Sequence, residues 1–188
     1  PLASIDEVKM AAESAAAGFE IWRRKLAHER YLIIRKAAEL MRERAAEIAR
    51  VLTLEQGKPL AEAKREVLLS ADIVDFQAEE GKRLYGRTVP PRIDGMLSQT
   101  VSRRPIGPVA AFTPWNFPAN LPARKLGSAL AAGCSVVIKP AEETPGTCML
   151  IVRCFLDAGV TPDALNMVCG DPAEVSSTLI AHDAIRKA

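Results

Sequence analysis

Val109-Ala110-Ala111-Phe112, Ser135-Val136-Val137-Ile138 and Leu165-Asn166-Met167-Val168 decide the fold. The three runs are short, continuously apolar, and recur about every 28 residues. Segments of helical length separate them. One runs from about Leu121 to Ala132 and is ended by Gly133; the next opens at Thr144-Pro145 and ends near Gly159. Threonine at the N-cap and proline at N1 suit a helix start, because the hydroxyl can accept a free amide and proline lacks one. Asp171-Pro172-Ala173-Glu174 has the same form and opens a further helix. Strands apolar on both sides and joined by helices predict an α/β fold with a parallel βαβαβ sheet covered on both faces. Right-handed crossovers place the strand-to-helix loops at the carboxyl edge, where ligands of such sheets bind. The loops to read for chemistry are therefore 113–120, 139–145 and 170–174.

Upstream of Pro108 the pattern changes. Ser4 and Glu7 have capping-box spacing before Val8, Ala11, Ala12, Ala15 and Phe19 at helical intervals. A second helix is expected from about Ala27 to Leu54, with the apolar stripe Ile33, Ala37, Leu40, Met41, Ala45, Ile48 and Leu52. Gly57 and Pro59 stop it. A third is expected from about Leu60 to Gly81. Residues 87–105, broken by Pro90, Pro91 and Gly95, read as an exposed β-ribbon that needs a partner, since a lone ribbon is marginal. Three parts follow: helices over 1–86, an arm over 87–105, and the β/α part over 106–188.

Composition narrows the function classes. The 188 residues are 48% hydrophobic and 26% charged, as in ordinary globular chains. A chain of this size buries roughly 70% of its unfolded surface and needs no disulfide or metal to hold a core. The net charge of +2 and basic clusters without interleaved aromatics argue against a nucleic-acid partner. Cys134, Cys148, Cys154 and Cys169 form no CxxC pair and have no histidine nearby, so a metal site is not expected. They read as buried free thiols, which suggests a reducing, cytoplasmic setting. No apolar run is long enough to cross a membrane and no leader is evident. Position 1 is proline, and the chain stops at Ala188 without a terminating turn, so both ends read as cut.

Three loops carry candidate chemistry. In Thr113-Pro114-Trp115-Asn116-Phe117-Pro118, two prolines and two aromatics make a stiff loop around an asparagine. The Asn116 amide is a neutral donor suited to a developing oxyanion, a role worth roughly 3–4 kcal/mol in a transition state. The plainer alternative is an asparagine that caps its own loop. In Lys139-Pro140-Ala141-Glu142, a lysine and a carboxylate three residues apart can hold a ribose diol between a donor and an acceptor. The plainer alternative is a surface ion pair. A carboxylate at Glu142 also predicts NAD rather than NADP. Each unit-charge pair with a 2′-phosphate costs about 4 kcal/mol at ~4 Å and an effective dielectric of ~20. Gly170 lets backbone approach a ligand at the start of the last helix. Neither usual phosphate-loop fingerprint, GxGxxG or GxxxxGK[ST], is present.

Together these segments resemble the aldehyde dehydrogenase superfamily. The resemblance runs through Arg104-Pro105-Ile106-Gly107-Pro108, the 113–118 loop, Ala131-Ala132-Gly133, Lys139-Pro140-Ala141-Glu142, and Asp157-Ala158-Gly159-Val160 up to Gly170. It extends to Leu54-Glu55-Gln56-Gly57-Lys58-Pro59-Leu60 with Glu62-Ala63 and Glu66-Val67, and so covers essentially the whole chain. It implies part of a Rossmann-like cofactor domain. By resemblance, Asn116 is the oxyanion-hole amide, and Lys139 and Glu142, beside Pro140, contact the adenosine ribose. Thr113, Pro114 and Trp115 line the cofactor path, Gly170 borders the adenine crevice, and Lys125 lies near the reacting centre. Residues 87–105 fall on the oligomerisation arm, so a homodimer or homotetramer of the full-length protein is expected.

The family mechanism uses a cysteine thiolate, hydride transfer to nicotinamide, and a water activated by glutamate. No residue of this chain matches that cysteine or that glutamate, so these residues alone are expected to give no turnover. The expected partner is a small-molecule aldehyde, with neither nucleic acid nor membrane. The wording of 112–118 and 131–134 is most similar to the succinate-semialdehyde group. Two other readings compete. One is a naturally short, non-catalytic dinucleotide-binding or interaction module. The other is a relative that reduces an acyl phosphate or acyl thioester; the Trp115-Asn116-Phe117-Pro118 run and Glu142 favour aldehyde oxidation over it. The segment 180–185 reads as poised to feed a further strand.

Overall fold

The computed structural model describes residues 2–188. Four helices come first: α1 (Ile5–Trp22), α2 (Ala27–Glu43), α3 (Ala45–Gln56) and α4 (Leu60–Gly81). A two-stranded ribbon follows, β1 (Arg87–Val89) antiparallel to β2 (Gln99–Val101). The β/α part is β3 (Val109–Phe112), α5 (Asn120–Ala131), β4 (Val136–Lys139), α6 (Pro145–Ala158), a 3₁₀ turn at Pro162–Ala164, β5 (Leu165–Met167) and α7 (Pro172–Ala181).

The sheet is parallel, in the order β3-β4-β5. Residues 186–187 pair with the free side of β3: the Ala110 amide donates to the Lys187 carbonyl at 2.8 Å and the Arg186 amide to Pro108 at 2.9 Å. The sequence suggests only a further strand after 180–185; the bridge places residues 186–187 on the opposite side of β3 from β4. Strand order reverses at that point, the place where sheets of this kind bind ligands at the carboxyl ends of their strands.

Alternate residues along the strands face two cores, as the two-residue period requires. Ala110, Val137 and Val168 meet Val8, Ala12 and Ala15 of α1 and Val175 and Leu179 of α7. Ala111, Val136, Ile138 and Leu165 face the larger core, built from Trp22 and helices α2 to α6. The helices of residues 5–81 and the sheet therefore share their apolar interior. No helix among the described residues is long and apolar enough to cross a membrane.

Local chemistry explains the helix ends. Ser4 and Glu7 form the expected capping box, with the Ser4 amide donating to Glu7 at 2.7 Å. Asp171 caps α7, accepting from Ala173 at 2.9 Å and Glu174 at 3.0 Å. Two expectations need correction. The single helix expected over 27–54 is two, because Arg44 leaves helical geometry (φ −92°, ψ 9°) while its guanidinium reaches Asp157 of α6 at 2.6 Å. No glycine or proline marks that break, and the apolar stripe runs across it. Thr144 precedes Pro145 as predicted, but its side chain caps nothing. Glu55 of α3 does so instead, accepting from the Gly146 and Thr147 amides at 2.6 and 2.8 Å and from the Thr147 hydroxyl at 2.6 Å.

Candidate functional site

The loop between β3 and α5 is held at both ends. The Thr113 amide donates to the Lys139 carbonyl at 3.2 Å, tying the loop to β4. At the far end Glu66 of α4 accepts from the Ala119 amide at 2.9 Å and the Asn120 amide at 3.2 Å. Between these anchors Pro114, Trp115, Asn116 and Phe117 are exposed. Among the described residues, the only hydrogen bond at Asn116 is to its backbone carbonyl, from Lys58 Nζ at 3.4 Å. Its side-chain amide is free to donate. It lines a groove of about 640 Å³ whose other walls include Phe117, Lys58, Arg65, Glu66 and Arg124.

A second cleft, of about 570 Å³, opens beside the ends of β4 and β5. Pro140, Ala141, Pro145, Met149 and Met167 make its walls apolar, and Glu142 and Gly170 stand among them. Lys139 is buried, with its ammonium donating to the Pro140 carbonyl at 3.0 Å and pairing with Glu142. The Lys139 hydrogen bond holds the Glu142 carboxyl below its ordinary pKa. The cleft suits a flat heteroaromatic base between apolar walls, with the Glu142 carboxylate among its lining residues as an acceptor for a diol.

The predicted residues thus fall into two groups at one sheet edge. Pro140, Glu142 and Gly170 line the cleft, with Lys139 behind Glu142, and Asn116 lines the groove. Buried Thr113 connects the two through the Lys139 carbonyl, whereas Pro114 and Trp115 sit on the exposed loop and line neither cavity. Lys125 is exposed on α5 and lines neither. Gly170 is tightly enclosed by the protein itself: a Cβ there would stand 2.8 Å from Val175 and 3.3 Å from the Ala3 carbonyl.

The thiols are poor nucleophiles. Cys134, Cys148 and Cys154 are buried, while Cys169 is partly exposed, unlike its expected burial, and lines the cleft. Burial pushes the Cys154 thiol up to about 11 and raises Cys148 and Cys169 as well.

Residue patterns read one at a time did not single out Lys58, Glu66 or Glu55 for a role at this edge. A signal existed for Glu66: it interrupts the buried stripe Ala63, Val67, Ala71 and Val74 of α4. A carboxylate on such a stripe requires partners. Lys58 and Glu55 carry no comparable mark, because neither interrupts a buried apolar stripe.

The chain is similar to known proteins. The chain is 47% identical over 186 residues to a 4-(hydroxymethyl)benzenesulfonate dehydrogenase of Comamonas testosteroni, covering 99% of this chain and 39% of that protein. It is 43% identical over 188 residues to a succinate-semialdehyde dehydrogenase [NADP(+)] of Escherichia coli (strain K12), covering 100% of this chain and 39% of that protein. The crystal structure of an E. coli NADP dependent enzyme superposes with a TM-score of 0.96 at 42% identity, covering 99% of this chain and 38% of that one. The chain thus spans about two fifths of the length of these relatives.

These likenesses overturn the expected preference for NAD. Relatives at 43% and 42% identity are named for NADP. A repulsion of that size holds for Glu142 as a lone carboxylate. In the structure it is paired with the Lys139 ammonium and its side chain is 44% exposed, so its repulsion is offset and screened. The model of the aldehyde dehydrogenase family matches residues 1–188, and the chain belongs to that family.

Proposed function

We propose that these residues form the cofactor-binding edge and the oxyanion donor of an enzyme that oxidises an aldehyde to a carboxylic acid with a nicotinamide dinucleotide. The observation that carries this reading is the unpartnered Asn116 amide, held by a braced loop at the reversal point of the sheet. Lys139 and Glu142 would hold the ribose of the cofactor, and Pro140, Met149 and Met167 would flank its base. When bound, the dinucleotide accepts the hydride. Asn116 donates to the substrate oxygen as negative charge develops on it, a role that needs no proton transfer from the side chain. The nucleophile is none of the four cysteines, since burial suppresses the thiolates of Cys148, Cys154 and Cys169, and Cys134 is itself buried.

We further propose that the aldehyde carries an anionic group at its far end. Arg65 and Arg124 line the groove beside Asn116. The Arg124 Nε donates to Asn120 at 2.8 Å, which fixes the guanidinium on the groove wall. The two relatives described above are named for a benzenesulfonate and a succinate semialdehyde, and both compounds bear an anion.

The test is Asn116→Ala in the full-length protein that carries these residues, assayed with succinate semialdehyde and either dinucleotide. A fall in kcat of about 10²–10³ with dinucleotide affinity kept is expected. Unchanged kcat rejects the oxyanion role.

A further inference from the structure

Asn116 can act as an oxyanion donor only if its loop is held within a fraction of an ångström, and the loop does not hold itself. Helix α5 begins at Asn120 without a capping side chain of its own. Its first amides are satisfied by Glu66, which projects from α4 and is only 6% exposed. The second oxygen of that carboxylate pairs with Lys58, in the turn between α3 and α4. The Lys58 ammonium in turn reaches the Asn116 carbonyl at 3.4 Å and lies over the Phe117 ring, 4.4 Å from its centroid. One lysine therefore meets a buried carboxylate, the backbone of Asn116 and the aromatic neighbour of Asn116. None of these contacts uses the Asn116 amide.

A surface ion pair would be worth little. This one is different in kind. Glu66 is buried, and losing Lys58 leaves it with two amide donors but no counter-charge. Ser70, one turn further along α4, accepts from the Asn120 side chain at 3.4 Å and so adds to the same seam. The helical layer of residues 58–70 is thereby coupled to the loop that carries Asn116.

We infer that Lys58 and Glu66 are positioning residues that aim the Asn116 amide at the substrate oxygen. The inference rests on the oxyanion role proposed for Asn116. Lys58→Met removes the grip on the loop. Lys58→Arg keeps a cation within reach of the same three partners. Glu66→Gln keeps an acceptor for the Ala119 and Asn120 amides while removing the ion pair, and so serves if Lys58→Met folds poorly.

The test is steady-state kinetics of these variants in the full-length protein, with succinate semialdehyde, alone and combined with Asn116→Ala. Lys58→Met and Glu66→Gln are expected to lower kcat about 10- to 100-fold, the scale of a small misplacement of a reacting group. KM for the dinucleotide should hold, and Lys58→Arg should recover most of the loss. On the Asn116→Ala background, Lys58→Met should cost nothing more, because it acts through the group already removed. An additive loss in the double variant, no recovery with arginine, or unchanged kcat in the single variants overturns the inference while leaving the Asn116 role standing. Full kcat in Asn116→Ala itself removes both.

Discussion

At Glu142 a single contact reverses the consequence of a charge. Taken alone, the carboxylate repels a ribose phosphate; paired with Lys139 it forms a nearly neutral unit at the rim of the cleft. Sequence spacing placed the two residues together at a strand end, and correctly, because a strand end and a three-residue interval are local facts. It did not convey how far their charges cancel, which depends on the burial of Lys139. The pairing has a pH signature. The Lys139 hydrogen bond lowers the folded-state pKa of Glu142 beneath 4.5. A lowered carboxylate adds stability above its unfolded value, and that stability is lost as pH falls through the folded one. Glu142→Gln should therefore melt below the parent protein at neutral pH. The gap should begin to narrow below pH 4.5 and close once pH has fallen through the lowered folded-state pKa, where the parent carboxylate also becomes neutral. A gap in Tm that is constant across a calorimetric series in acid would sink this account.

Helices α5 and α6 begin at the carboxyl edge of the sheet, and both take their caps from the helical layer rather than from their own chain. Glu66 caps α5 and Glu55 caps α6, through bonds that span 53 and 91 residues. Glu55 accepts three hydrogen bonds, and the N-terminal dipole of α6 favours its charge. Glu55→Ala should cost about 2–3 kcal/mol, more than an ordinary cap, because two amides and a hydroxyl lose their partner together. Thr144→Ala should cost less, about 1 kcal/mol, since Thr144 makes no capping bond and loses only a small buried group. Chemical denaturation of both variants checks the ranking, and equal losses would refute it. This pair also marks how far elements could be read from sequence. Helix α4 (Leu60–Gly81) and strand β3 (Val109–Phe112) lie where periodicity and apolar runs put them. Thr144-Pro145 correctly marked the start of α6 through proline at N1, yet the capping group was wrong. Propensity is local, and a cap supplied across 91 residues has no local signal. The break at Arg44 was hidden for the same reason, since the residue it reaches, Asp157, lies on another helix.

Across the whole molecule, the capping pattern leaves α5, α6 and α7 with carboxylates already at their N-termini, from Glu66, Glu55 and Asp171. Those three helix starts therefore offer no vacant anion cradle. What remains accessible at this edge is an apolar cleft and a free amide, which fits a base and a reacting oxygen better than a pyrophosphate. The ribbon stands apart from this design. None of residues 87–101 is buried, and Leu97 at its tip is 98% exposed. An exposed two-stranded ribbon has unpaired edges and little to stabilise it alone. Pairing with the same ribbon, or with another edge, of a second copy would satisfy both needs in a closed symmetric assembly. Replacing residues 88–100 of the full-length protein with a short glycine-serine turn removes no buried side chain. The fold of the subunit should therefore survive, with circular dichroism unchanged, while sedimentation velocity shows a smaller assembly. If the assembly keeps its mass, the arm is not what joins the subunits. If the subunit unfolds, the ribbon belongs to the core in a way its exposure does not suggest.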